Sequence, residues 1–328
     1  MKYPCLISPK DRAEEIRKLL MEKKLLLKNI RIKRDENYVY FPIKEKIKIK
    51  GCETGEEEFK KFEVKSYNDI LREKGIKIDS ISIDFIGEIA IIKLKDCENV
   101  EDVAHAIMEA NRHIKTVCID RGVKDDYRIR DIKIVAGEEN TETIHTEYGV
   151  KMKMDISKVY FSPRLAEERM RIAKQVGNKD IVIDMFAGIA PFGLIIAKYA
   201  KPEKIYAIDK NPYAIKYARD NVRINKMEDI IEVKEGDAEK IIQKLPYANH
   251  IIMNLPHKSF YFLPYAIRRG KIIHYYEILE KNRIDDRVKD IKNLAEKENY
   301  EAEIKDVRIV GSYSPSKLKF GIDIEIKN

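Results

Sequence analysis

Asp184-Met-Phe-Ala-Gly-Ile-Ala-Pro-Phe-Gly193 decides the fold of this chain. It follows a short apolar run, Asp180-Ile-Val-Ile183, and leads into the apolar segment Leu194–Tyr199. That order reads as a strand, a tight turn of small residues and a helix, the arrangement by which a doubly wound sheet holds a nucleotide-like cofactor. Asn254-Leu-Pro-His257 ends a later apolar run, Ile251-Ile-Met253. A polar amide and a proline at a strand's C-terminal end are placed to hold a flat, nitrogen-bearing substrate beside such a cofactor.

Outward from this stretch, the pattern from about Ser157 alternates strand and helix, which predicts a parallel sheet. Strands are expected at Ile181–Asp184, Lys204–Asp209, Ile230–Lys234, Ile251–Asn254 and Lys271–Tyr276. A helix over Tyr213–Asn225 is opened by Asn211-Pro212, a cap and a first-turn proline. After a helix near Arg287–Lys297, strand-like runs Ala302–Val310 and Leu318–Ile326 are joined through Ser312-Tyr-Ser-Pro315. Five parallel strands finished by a hairpin are the α/β layout of a class I (Rossmann-like) methyltransferase domain.

The cofactor of such a domain, S-adenosylmethionine, offers a ribose diol, an adenine ring and a sulfonium cation. The turn at Ala187-Gly188-Ile189-Ala190 brings backbone near its methionine and ribose parts. Asp209 ends the second strand, where a carboxylate accepts from both ribose hydroxyls. Asp237 lies past the third strand, in reach of the adenine amino group. Asp184, Phe186, Lys210, Ala238 and Asn254 complete the candidate cofactor set. A full Gly-x-Gly-x-x-Gly is absent, which disfavours a nicotinamide cofactor. Ala190 occupies the position where a second glycine is usual, and its methyl is expected to tighten the pocket or shift the cofactor.

The 328 residues allow two or three domains. No apolar run is long enough to cross a membrane, and Met1-Lys-Tyr-Pro-Cys5 has no signal-peptide core, so a cytoplasmic protein is expected. Four scattered cysteines and six dispersed histidines give no metal-ligand spacing, and no metal is expected. The net charge of +8 suits a polyanionic partner, while a Lys/Glu-rich surface also suits ion-pair adaptation to heat.

Ahead of the catalytic domain (157–328), two smaller α+β domains are expected. Residues 1–60 form an N-terminal module, with Asp11 capping a helix over Arg12–Lys23 and strands at Ile30–Ile32 and Tyr38–Phe41. Gly51–Lys61 is polar and aperiodic and is read as linker, as is 61–78. A middle domain (79–156) shows paired strands turning at Gly87-Glu88, a helix over Val100–Asn111, strands at Thr116–Ile119 and Asp126–Val135, and a hairpin turning near Gly149.

The sequence resembles the archaeal and eukaryotic tRNA (guanine-N1)-methyltransferases that modify position 37, just 3′ of the anticodon. The resemblance runs over nearly the whole chain. It rests on Tyr127-Arg-Ile-Arg-Asp131, Ala136-Gly-Glu-Glu-Asn140 with Thr143-Ile-His145, Val159-Tyr-Phe-Ser-Pro-Arg-Leu165 with Glu168-Arg169, Asp184-Met-Phe-Ala-Gly188, Asn254-Leu-Pro256 and Ile273-His-Tyr-Tyr276. It implies Glu168 as general base, Arg128 as support for the guanine O6, and Asn254 and Pro256 as holders of the base, with Tyr160 packing on its face and Arg164 among the substrate contacts. Those residue types suit the chemistry. Guanine N1 must lose a proton as the methyl arrives, and a guanidinium can stabilise charge developing toward O6. The resemblance also implies tRNA as partner, gripped at the anticodon loop and outer corner, and a monomeric enzyme.

Plainer roles exist for each residue. Glu168 can pair with Arg169 or Lys174 on a helix surface, and Arg128 can ladder against a cross-strand acid. Asn254 can cap the following helix, and Tyr160 can be core. His145, His257 and His274 are read as structural or peripheral. The rival activities are the aminocarboxypropyl transfer of wybutosine synthesis, nitrogen methylation of ribosomal RNA, DNA or protein, and non-catalytic RNA binding on the same fold.

Overall fold

The computed structural model describes residues 2–27, 29–61, 65–78, 81–94, 99–124 and 129–327. They divide into Met1–Gly75 and Ile76–Asn328. In the first unit, β1 (Lys2–Pro9), α1 (Ala13–Glu22), β2 (Lys33–Arg34), β3 (Tyr38–Pro42), β4 (Glu53–Glu58) and α2 (Tyr67–Glu73) follow in order. The strands make an antiparallel sheet, β2-β3-β1-β4. Ile16 and Leu20 of α1 bury against Leu6, Val39, Phe41 and Ile43, as the helical spacing requires.

Three readings of this unit are corrected. Asp11 does not cap α1. It sits in a short 3₁₀ turn, and the cap residue is Arg12, without a side-chain cap bond. Gly51–Lys61 is not linker, because Glu53–Glu58 is an edge strand along β1. Its acidic side chains are mostly exposed, and it is held by backbone pairing with ion pairs from Lys33 to Glu57 and Lys46 to Glu56, so the sequence carries no apolar alternation to read. The segment 61–78 contains α2, which buries Ile70 and Leu71 and begins with a capping box between Ser66 and Asp69.

In the second unit, β5 (Ser82–Ile86), β6 (Ile89–Lys93), α3 (Val100–Ala110), β7 (Thr116–Lys124) and β8 (Ile129–Gly137) build a four-stranded sheet. The hairpin β9 (Glu142–Glu147) and β10 (Val150–Asp155) and helix α4 (Ala166–Ala173) follow. Then come β11 (Ile181–Asp184), α5 (Pro191–Tyr199), β12 (Lys204–Asp209), α6 (Pro212–Ile224), β13 (Ile231–Glu235), α7 (Ala238–Ile242), β14 (Ala248–Met253), α8 (Ser259–Ile267), β15 (Gly270–Glu280), α9 (Ile284–Lys297), β16 (Glu301–Ser312) and β17 (Lys317–Lys327). They give a seven-stranded sheet in the order β13-β12-β11-β14-β15-β17-β16. The first five strands are parallel, and β17 runs antiparallel to both neighbours.

Apolar cores cover both faces of this sheet. One of them runs without a break into the preceding segment. Ile86, Ile89, Cys118, Met152 and Met154 cluster with Val182, Leu194 and Ile252. The stretches 79–156 and 157–328 therefore share a core.

Ala190 begins α5 in the left-handed region, φ +65°, and is fully buried within that core. Its methyl packs into the core and does not line the cofactor pocket. The expected tightening of the pocket is thereby corrected. A β-branched side chain tolerates this backbone poorly. Ala190→Val is expected to lower stability by about 2–3 kcal/mol. Ala190→Gly should stay within about 1 kcal/mol, since relief of strain offsets the lost methyl and added chain entropy. Urea titration of both variants checks this.

Candidate active site

β11 is the switch point of the sheet, with β12 on one side and β14 on the other. Loops diverge there and leave a crevice at the carboxyl ends of the strands. The pocket occupies it. Met185 to Gly188 after β11, Asp209 to Asn211 after β12, Gly236 to Ala238 after β13, and Asn254, Leu255 and Lys258 after β14 line it, and Tyr160, Phe161 and Ser162 form a further wall.

The turn is held from several sides. Gly188 has φ +56°, which favours glycine, and its N–H donates to Asp209 Oδ2 at 2.7 Å. Asp209 Oδ1 accepts from the Asn211 N–H at 2.9 Å, and burial pushes the Asp209 carboxyl up from its usual range. Asn211 caps α6 by accepting from the Tyr213 and Ala214 N–H groups, and its own amide donates to the Lys158 carbonyl. The Asn211-Pro212 cap is as expected. Asp184 lies beneath the turn, 1% exposed, with Oδ2 unpartnered. Burial raises its carboxyl to about 7.

Of the candidate cofactor residues, Phe186, Ala187, Gly188, Asp209, Lys210, Asp237, Ala238 and Asn254 line the pocket; Asp184 does not. Tyr160 lines it, but Arg164 and Pro256 do not. Arg164 instead donates to Asp84 Oδ1 at 2.7 Å and to the Ser82 hydroxyl. The Pro256 carbonyl accepts from the Ile278 N–H, pinning the loop to β15. Asn254 does not cap α8, whose cap residue is Lys258. Its Oδ1 accepts from Lys319 Nζ at 2.8 Å. Arg128 lies outside the described residues.

Glu168 is 8% exposed and off the pocket lining. It sits on α4, yet Arg169 and Lys174 are not its partners. Arg171 of the same helix donates to it from Nε and Nη2, Arg308 of β16 donates from Nε and Nη2, and the Tyr276 hydroxyl donates at 2.6 Å. Burial alone would raise the Glu168 carboxyl, but the bonds from Arg308, Arg171 and Tyr276 override it and bring it to about 2. Both arginines also bond Asp323, which His274 Nδ1 meets at 2.9 Å. His250 Nδ1 faces His274 Nε2 at 3.1 Å, and His250 Nε2 lies 3.3 Å from Asp180 Oδ2, so the two imidazoles link Asp323 to Asp180.

Arg169 lines the pocket, where the sequence suggests only a pairing with Glu168. It is 1% exposed, forks onto Glu147 through Nε and Nη2, and lies over the Phe161 ring. Neighbours one apart on a helix point in different directions, so Glu168 and Arg169 could not share a face. That rule was the available signal. Phe192, Phe262 and Lys258 also line the pocket, and nothing in their spacing marked them.

The model of the TRM5/TYW2 methyltransferase domain matches residues 143–303, and that of the tRNA methyltransferase 5 N-terminal domain matches 5–50. A Methanocaldococcus jannaschii tRNA (guanine(37)-N(1))-methyltransferase, Trm5b, is 38% identical, with 98% of each chain covered. The chain belongs to the TRM5/TYW2 methyltransferase family. A crystal structure of wild-type Trm5b from Pyrococcus abyssi is similar at TM-score 0.73 and 33% identity, over 99% of this chain and 100% of that one. The structure of a complex of aTrm5 with tRNALeu is similar at TM-score 0.71 and 32% identity, over 98% and 99%.

As a TRM5/TYW2 methyltransferase, the chain uses S-adenosylmethionine, and its pocket suits that molecule. The Gly188 turn leaves open room at the backbone, where even an added Cβ would come no nearer than 3.7 Å to another residue. Asp209 and Asp237 line the pocket beside it. Among the described residues no helix is long and apolar enough to cross a membrane.

Proposed function

We propose that this chain methylates N1 of the guanine at position 37 of tRNA. The observation that carries the reading is one pocket in which Gly188, Asp209 and Asp237 meet Tyr160 and Asn254. S-adenosylmethionine, when bound, supplies a methyl group already activated on a sulfonium. Asp209 would hold the ribose hydroxyls, Asp237 the adenine amino group, and the 186–188 backbone with Lys210 and Ala238 the remaining surfaces.

The guanine is flipped out of the anticodon loop and held by Asn254 at its edge and Tyr160 on its face. As N1 gains the methyl it loses its proton, which goes to Glu168, while Arg128 stabilises charge at O6. In the present structure Glu168 is off the pocket lining and accepts from Tyr276, whose ring lies 6.2 Å from that of lining residue Phe192. It must trade an arginine contact for the base before it can take a proton. The N-terminal module would grip the outer corner of the tRNA, and its match to the tRNA methyltransferase 5 N-terminal domain favours methyl transfer over aminocarboxypropyl transfer.

The test is nucleoside mass mapping of unmodified tRNA incubated with the protein and S-adenosylmethionine. One methyl on guanosine 37 is expected. An aminocarboxypropyl adduct, or unchanged tRNA despite cofactor binding, would overturn the reading.

A further inference from the structure

Lys319 is in β17, 65 residues along the chain from Asn254. Its ammonium reaches Asn254 Oδ1 at 2.8 Å and lies 5.3 Å from the centroid of the Tyr276 ring. Tyr276 in turn donates to Glu168 at 2.6 Å. One side chain thus touches the residue that lines the pocket and the residue that holds the buried carboxylate.

An ammonium has three donors and no acceptor. Only the oxygen of the Asn254 amide can face it, and the Nδ2 group would meet it donor to donor. The amide is therefore locked in one of its two orientations. Its oxygen is engaged by Lys319, and its NH2 group is the end left for a ligand.

We propose that Lys319 is a positioning residue that sets Asn254 as a hydrogen-bond donor, so that Asn254 reads an acceptor on the base, the O6 oxygen of guanine. This rests on the proposed function and deepens it. On the Watson–Crick edge of guanine, O6 accepts while N1 and N2 donate. An adenine in the same pose would present its own amino group to the Asn254 NH2, leaving both donors unpaired, which disfavours it strongly. Without Lys319 the amide can rotate, and discrimination at the 6-position falls away.

Two transcripts separate this from a merely structural role: one carries guanosine at position 37, the other 6-thioguanosine, whose sulfur is a weak acceptor. The wild type should prefer guanosine in kcat/KM by about tenfold, the worth of one well-made hydrogen bond. Lys319→Met should lose about tenfold or more on guanosine and reduce the preference to about twofold, while Lys319→Arg, which still donates, should keep most of it. Calorimetric affinity for S-adenosylmethionine should stay within about twofold throughout, as a check on folding. A Lys319→Met variant with unchanged rates, or with equal losses on both transcripts, would overturn the inference alone. A wild type inactive on the guanosine transcript would overturn the proposed function and this inference with it.

Discussion

Glu168→Gln is expected to lower kcat on tRNA by about 100- to 10,000-fold, the range for loss of a general base, while affinity for S-adenosylmethionine stays within about twofold. The substitution keeps the shape of the side chain and its acceptor oxygen, but removes the basic carboxylate. It also leaves Arg171 and Arg308 with Asp323 as the one carboxylate they share, so stability will fall too. The two effects part in the measurement. A base is lost from kcat at temperatures where the variant is fully folded, whereas a structural residue lowers the melting point and leaves the single-turnover rate intact. A folded Glu168→Gln variant with wild-type single-turnover rates would make Glu168 a structural anchor. The pH profile adds a second check. The Glu168 carboxyl is brought to about 2 in the free protein, so it is ionised throughout the working range. The kcat/KM profile reports the free enzyme, and no acid limb from this group is expected above about pH 4.

The catalytic sheet was legible because its parallel strands are buried on both faces and read as unbroken apolar runs. Ala187, Gly188, Asp209 and Asp237, which line the pocket, each sit within a few positions of such a run and could be placed by counting from strand ends. The hidden parts have different physics. β4, Glu-Thr-Gly-Glu-Glu-Glu, is held by backbone pairing and exposed ion pairs and has no buried residue. The partners of Glu168 lie 3, 108 and 140 residues away, and those of Arg171 include Asp323, 152 residues away. No local period records such pairings, because they form only when β16 and β17 fold back beside β15. The plain alternative for Glu168 was right that it pairs with arginine and wrong about which, since helix neighbours three apart meet and adjacent ones do not. His274 was read as structural, and it is fully buried against Asp323.

Asp323→Ala is expected to destabilise the protein by about 3–5 kcal/mol, the loss seen when one partner of a buried ion pair is removed. Asp323 is 4% exposed and takes bonds from Arg171, Arg308 and His274. With Glu168 it makes a cluster of two carboxylates and two guanidiniums, neutral as a whole. Removing it leaves Glu168 as the one carboxylate shared by the two arginines, with Asp306 still on Arg308 alone, and leaves the His274 Nδ1–H without its acceptor. The same cluster sets the acid limit of the fold. Burial would raise the Asp323 carboxyl, but His274, Arg171 and Arg308 hold it well below the usual range, and Glu168 is brought to about 2. Both carboxyls are depressed in the folded state, so the unfolded chain binds protons first as pH falls. Their contribution is complete above the unfolded value of roughly 4.5 and is lost as pH falls from there toward about 2. Wild-type stability in urea should therefore decline steeply below about pH 4.5, and Asp323→Ala should show a shallower decline over that window. Parallel acid limbs in the two proteins would show that the pairing at Asp323 contributes nothing to acid sensitivity, and that the carboxylates governing it lie elsewhere in the fold.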